Sequence, residues 1–133
     1  MNALYAKARE AFLTGSINWV SDTIKVALVR PIYVPNLATD QWFSTVVSSI
    51  IGTPQTLAGK TATYGVADAD DVVFHAVTTG YAINYLVIYK DTGDPSTSPL
   101  IVLLDTATGL SFTTSGRDVV VTFSNTTSRI FAL

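Results

Sequence analysis

Apolar positions along this chain follow two kinds of pattern, and their order predicts the fold. Two early stretches repeat at helical spacing. Leu4, Ala8, Ala11 and Phe12 form one stripe over residues 3–13, with Asn2 placed to cap the start and Gly15 to end it. Trp42, Phe43, Val46, Val47 and Ile50 repeat the same way over about residues 39–51, closed by Gly52-Thr53-Pro54. Elsewhere the period is two. Thr23–Arg30 alternates Ile24, Val26 and Leu28 with Lys25, Ala27 and Val29, and Pro31 stops it. Gln55–Thr63 alternates weakly, as an edge strand would, and Tyr64–Asp71 reads as a loop. Short strands then follow at Val72–Val77, Leu110–Thr114, Asp118–Ser124 and Arg129–Leu133, separated by turn residues.

The strongest strand signal is Tyr81–Asp105, two β-branched, aromatic and aliphatic runs around a loop of Thr, Gly, Asp, Pro and Ser. Tyr81, Ile83, Tyr85, Val87 and Tyr89 are predicted on one side, Ala82, Leu86 and Ile88 on the other. Leu100, Val102 and Leu104 oppose Ile101 and Leu103 in the returning strand. Strands apolar on both faces must be covered on both. A facing sheet supplies one cover; a helix, a loop or another protein must supply the other. The predicted fold is mainly β, an antiparallel β-sandwich or jelly-roll-like barrel with one or two short helices. One structural domain spans residues 1–133.

Composition adds a constraint on partners. Only 14% of residues are charged while 48% are apolar, against roughly 25% charged in ordinary soluble domains. A surface so poor in charge predicts a subunit that buries part of itself against neighbours. The net charge of −2, with Lys and Arg scattered, lacks the basic footprint of a nucleic-acid binder. No apolar run approaches the roughly 18 residues of a membrane span, and the start lacks a leader's charged-then-apolar layout. With no cysteine, neither disulfides nor thiolate metal sites form.

Three groups of residues invite a chemical reading. Asp91-Thr92-Gly93 resembles an aspartic-protease triplet, but Lys90 stands where an apolar residue is expected and Ile50-Ile51-Gly52 precedes it rather than following. Turn chemistry accounts for the same residues. Asp68, Asp70 and Asp71 are the candidate cation ligands, in a spacing that lacks the calcium-loop glycine and distal glutamate. His75 is the single histidine, with no partner set for a metal or a catalytic triad. The expectation is a non-enzyme without cofactor. Trp19, Tyr33, Trp42, Tyr81, Tyr85 and Tyr89 suit either a carbohydrate platform or buried contacts, and Trp19, Trp42, Phe43, Tyr81, Tyr85 and Tyr89 are the predicted interface residues.

Several segments, taken in order, resemble a known family. They are Leu4-Tyr5-Ala6-Lys7-Ala8-Arg9-Glu10-Ala11-Phe12-Leu13-Thr14-Gly15 with Ile17 and Trp19, then Ser21 through Val29. Asn36-Leu37-Ala38, Gly59-Lys60 and Asp68-Ala69-Asp70-Asp71-Val72 follow. Next come Val87 through Gly93, Thr97 through Ile101, Asp105 through Leu110, Phe123-Ser124-Asn125 and Ile130 through Leu133. Together they resemble the small structural proteins of tailed-bacteriophage virions, in particular capsid cement (decoration) proteins. The chain departs from that pattern at Gly116-Arg117, where a second glycine is common, and at Leu110-Ser111-Phe112, where a proline is. The resemblance implies a non-enzymatic virion component, made in the host cytoplasm. It would contact the major capsid protein and its own copies as a trimer or dimer, with no nucleic acid or membrane partner. A tail, neck or baseplate part is the structural alternative; a surface carbohydrate- or receptor-binding module is the alternative of another class.

Overall fold

The most apolar run of the sequence becomes the centre of the molecule. The computed structural model describes residues 3–105, 112–123 and 130–132. In chain order the elements begin with β1 (Ala3–Leu4), α1 (Ala6–Leu13), β2 (Ile24–Val29) and β3 (Ile50–Thr56). They continue with β4 (Val66–Ala67), β5 (Val72–Phe74), β6 (Ala82–Ile83), β7 (Tyr85–Lys90) and β8 (Leu100–Leu104). The last are β9 (Phe112–Thr113), β10 (Val119–Val121) and β11 (Phe131–Ala132). The fold is mainly β, as the alternation predicts.

One antiparallel five-stranded sheet, ordered β1-β8-β7-β2-β3, carries the structure. Both of its faces are buried. On one, Ile24, Val26, Leu28, Leu86, Ile88, Val102 and Leu104 meet Ala67, Val72, Phe74, Ile83, Val121 and Phe131. Those residues belong to three short antiparallel pairs, β4–β11, β5–β10 and β6–β9, which make a second, sandwich-like layer. On the other face Ala27, Val29, Val87, Tyr89, Leu100 and Leu103 lie under Tyr5, Ala8, Tyr33, Phe43 and Val46. Each fully buried aliphatic side chain here stabilises the fold by about 1.5–3 kcal/mol. The chain thus supplies both covers for its own central strands, the second from a helix and a loop segment, two of the covers the sequence left open.

Three local expectations also change. The N-terminal helix starts later than residue 3, because Ala3 and Leu4 are drawn into the sheet against Leu103 and Val102. Tyr5 is the cap residue in place of Asn2, its carbonyl accepting from Ala8 and Arg9, and Gly15 (φ +77°) ends the helix as predicted. The helix over residues 39–51 does not form. Trp42 is extended and pairs with Pro99, two single 3-10 turns follow at Phe43–Thr45 and Val47–Ser49, and Ile50 already belongs to β3. The β-branched and Ser-rich run Ser44-Thr45-Val46-Val47-Ser48-Ser49 resists an α-helix, so the long-range strand pairing prevails. The turns still bury Phe43 and Val46, so the segment covers the sheet in another conformation.

The third change concerns side-chain direction. The β7–β8 ladder slips between Ile88 and Tyr89, so Ile101 packs with Val102 and Leu104 while Leu100 joins Leu103 on the opposite face. The chain also switches sheets at Asn84, which puts Ile83 with Leu86 and Ile88 rather than with Val87 and Tyr89. The predicted strands near Leu110, Ser124 and Arg129 extend partly outside the described residues. The edges of the main sheet differ. β1 is two residues long; β3 carries Gly52 at φ +76° and Pro54, and its pairing with β2 is interrupted between Val26 and Leu28.

Candidate functional site

Strand register sorts the polar groups toward one end of the main sheet. Ile24 pairs with Lys90, which brings Lys25, Lys90 and Asp91 together beside Asp22. Lys25 Nζ lies 2.8 Å from Asp91 Oδ2, and Lys90 Nζ lies 3.2 Å from Asp22 Oδ2. Lys90 Nζ also donates to the Ser16 carbonyl, and Lys60 Nζ to that of Asp22. The Lys25 ammonium, helped by the Gly93 N–H, holds the Asp91 carboxyl below its ordinary range. Burial opposes the same shift at Asp22, but the Asn18 N–H and Lys90 outweigh it and its pKa is lowered. Burial lowers the Lys60 ammonium, with Asp22 acting the other way. Charges at this end are paired with one another or with carbonyls and serve the scaffold.

The triplet Asp91-Thr92-Gly93 is a turn. Asp91 Oδ1 accepts from the Gly93 N–H at 2.9 Å, Gly93 takes φ +92°, and the other carboxylate oxygen is held by Lys25. Buried Ser98 closes the hairpin by accepting from the Thr92 N–H and donating to the Asp94 carbonyl.

Asp68, Asp70 and Asp71 do not converge. Asp68 exchanges backbone hydrogen bonds with Thr61, and its carbonyl accepts from Trp19 Nε1 at 3.2 Å. Asp70 lays its carboxylate over Gly59, and Asp71 Oδ1 accepts from the Phe123 N–H at 2.9 Å. The segment joins the second layer to the loop after β3. Among the described residues no group of three His, Cys, Asp or Glu side chains could hold a metal ion.

His75 lies outside β5, which ends at Phe74, and Ala76 turns the chain at φ +47°. Its Nδ1 is 3.2 Å from Asp118 Oδ2, while Asp118 Oδ1 accepts from the Ala76 N–H at 2.8 Å. That N–H and the imidazole hold the exposed Asp118 carboxyl below its ordinary range. The pair pins the loop after β5 to the start of β10.

The aromatic residues predicted at an interface divide into two sets. Trp19, Phe43 and Tyr89 are buried in the chain's own core, which removes them as surface contacts. Trp19 meets Phe131 edge-on at 5.1 Å, and Phe43 stacks on Tyr89 at 3.8 Å with ring planes 10° apart. Burial raises the Tyr89 phenol to about 12. Tyr85 is half-buried, edge-on to Tyr33 at 6.5 Å. Trp42 and Tyr81 are exposed. Trp42 borders a shallow cleft with Lys7, Glu10, Thr14, Ser16 and Gln41, and Tyr81 lies under the Arg30 guanidinium, 5.5 Å from ring centroid to Cζ.

Two features have no signal at residue spacing. One is a hydrogen-bonded chain beneath the cover: Tyr5 and Tyr33 hydroxyls are 2.8 Å apart, and Tyr33 donates to Asp40 Oδ2 at 2.6 Å. Burial keeps both phenols well above their ordinary range, so both stay neutral. The other is Arg30 at the sheet end opposite the ion pairs. Its Nη2 donates to the Ser48 carbonyl at 3.1 Å, and its Nε is buried with no hydrogen-bond partner. No family model, curated protein or solved structure matches this chain.

Proposed function

We propose that the chain is a non-enzymatic structural protein of a tailed-bacteriophage particle, a capsid cement (decoration) protein that stabilises the head through protein–protein contacts. The single observation behind this reading is the ordered series of segments, from Leu4-Tyr5-Ala6 to Ile130-Phe131-Ala132, that resembles that family. Its longer segments contribute α1, β2, β7 and the start of β8, the elements that build and cover the main sheet. A rigid sheet buried on both faces by its own chain is a suitable body for such a part, because binding then orders little new backbone. The groups with chemical potential support the same reading: Asp91, Asp71 and His75 are each engaged in turns or loop joints. The partners under this reading are the major capsid protein and further copies of the chain.

Quantitative mass spectrometry of purified particles tests it. A copy number comparable to that of the shell protein is expected. A few copies per particle would move the protein to the tail, neck or baseplate, and absence from particles would end the reading. The Trp42 cleft keeps one alternative specific, since an exposed indole beside Glu10, Lys7 and Gln41 has the stacking face and hydrogen-bonding groups that a sugar ring requires. Saturable glycan binding that is lost in Trp42→Ala would favour a receptor-binding module.

A further inference from the structure

Tyr64 is held where its ring makes no use of its own chain. The side chain is 100% exposed, and the backbone is left-handed at φ +54°, ahead of Gly65 at φ +76°. A left-handed residue other than glycine is strained, and such strain gathers at functional sites, ligand clamps among them. Ala62 and Gly65, on either side of Tyr64, help to line a cleft of about 300 Å³ with Phe12, Trp19 and Phe131. Trp19 meets Phe131 edge-on at 5.1 Å and Phe12 meets it at 5.8 Å, so the three rings form one aromatic wall. No charged side chain is among the described residues that line this cleft. Asn18 is its polar member: Oδ1 accepts from the Val20 and Ser21 N–H groups, which leaves its NH2 to donate. Leu13, 89% exposed, extends the apolar surface, since it shares a neighbouring cleft with Phe12.

Ring and cleft thus lie side by side on one part of the surface, with the ring turned away from the hollow its neighbours line. A projecting side chain beside a receptive hollow is self-complementary about a two-fold axis placed between them. The size suits a side chain, since 300 Å³ is only the lower bound of the roughly 300–1,000 Å³ that hold small molecules. The chemistry suits it too. Aromatic rings favour edge-to-face partners, and a buried phenol needs the hydrogen bond that the Asn18 NH2 can donate to its oxygen. We propose that Tyr64 of each copy inserts into the Phe12–Trp19–Phe131 cleft of the other, forming an isologous dimer. Each inserted ring buries about 150–250 Å² of its own surface. Two rings and the walls that receive them make a small contact, in the class below about 1,200 Å² that associates weakly. The proposal deepens the reading above, which counts further copies of the chain among the partners. It fails separately: particle copy number decides that reading, solution mass decides this one.

Sedimentation equilibrium on the full chain from roughly 10 μM to 1 mM tests it. The mean mass is expected to rise toward two chains across this range. Tyr64→Gly should weaken association by at least about tenfold. The same variant should melt no lower than wild type in dilute solution, because glycine suits the left-handed backbone. Ala62→Trp, which fills the cleft from an exposed wall position, should weaken association as well. Mixed in equal amounts, the two variants should bind each other more tightly than either binds itself, since one tyrosine and one open cleft remain to pair. Circular dichroism confirms that each variant folds, and Ala62→Leu replaces Ala62→Trp if it does not. A single-chain mass throughout the range overturns the proposal. So does a three-chain mass, a two-chain mass that Tyr64→Gly leaves unaltered, or a mixture that recovers nothing.

Discussion

The Tyr5–Tyr33–Asp40 chain makes an order-specific prediction. Tyr33 is the middle member, so Tyr33→Phe removes its bond to the Asp40 carboxylate and leaves the Tyr5 hydroxyl without a partner at a fully buried site. A hydrogen bond to a charged group is worth about 1.5–3 kcal/mol and an orphaned buried hydroxyl costs about 1–3 kcal/mol. A loss of about 2–4 kcal/mol is therefore expected once partial relaxation is allowed for. Tyr5→Phe removes the terminal hydroxyl while Tyr33 keeps Asp40, at a cost of about 0.5–1.5 kcal/mol. In the double variant no hydroxyl is orphaned, so it should be no less stable than Tyr33→Phe alone. Urea unfolding followed by Trp fluorescence gives all three values, and an unchanged m-value shows that the denatured state is not the cause. Two outcomes refute the reasoning: Tyr5→Phe costing as much as Tyr33→Phe, or the two costs adding.

Other predictions follow from the joints between layers. A Cβ on Gly59 would lie 2.5 Å from the Asp70 carboxyl group, at φ +62°, so Gly59→Ala should lower stability by about 1–3 kcal/mol in a thermal melt. Gly80→Ala, with open space at its Cβ but φ +92°, isolates the backbone part of that cost and should lose less. The Asp91 carboxyl is held below its ordinary pKa, so its stabilisation is present above the usual carboxylate range of about 4 and is lost as pH falls through the lower folded value. Asp91→Asn should therefore melt below wild type at neutral pH, by an amount worth up to about 1 kcal/mol, and the gap should close as the pH falls below the ordinary carboxylate range. A gap that persists in acid would show that the Lys25 pairing is not its source.

The strands were readable because their pattern is local. The β2, β7 and β8 runs are β-branched and aliphatic over their whole length, and no competing helix period exists there. The 39–51 stretch misled because Phe43, Val46 and Ile50 do point to one side, as a helix would have them. Two 3-10 turns and a strand start achieve the same burial with i→i+3 bonds, and only the Trp42–Pro99 pairing reveals it. The β8 irregularity that exchanges Leu100 and Ile101 was invisible, since every residue from Leu100 to Leu104 is apolar and any register satisfies the pattern. Trp19, Phe43 and Tyr89 were misplaced for a related reason: aromatic content is equally compatible with core and contact surface.

The unequal rims of the main sheet bear on how such a chain behaves when it is concentrated. A strand of two residues offers an incoming peptide almost no ladder, and Pro54 with the kink at Gly52 spoils the opposite rim for regular pairing. Side-by-side growth into fibres is thereby blocked at both margins, even in a chain this oily. Crowded copies are left to meet through side-chain surfaces and not through open-ended backbone pairing.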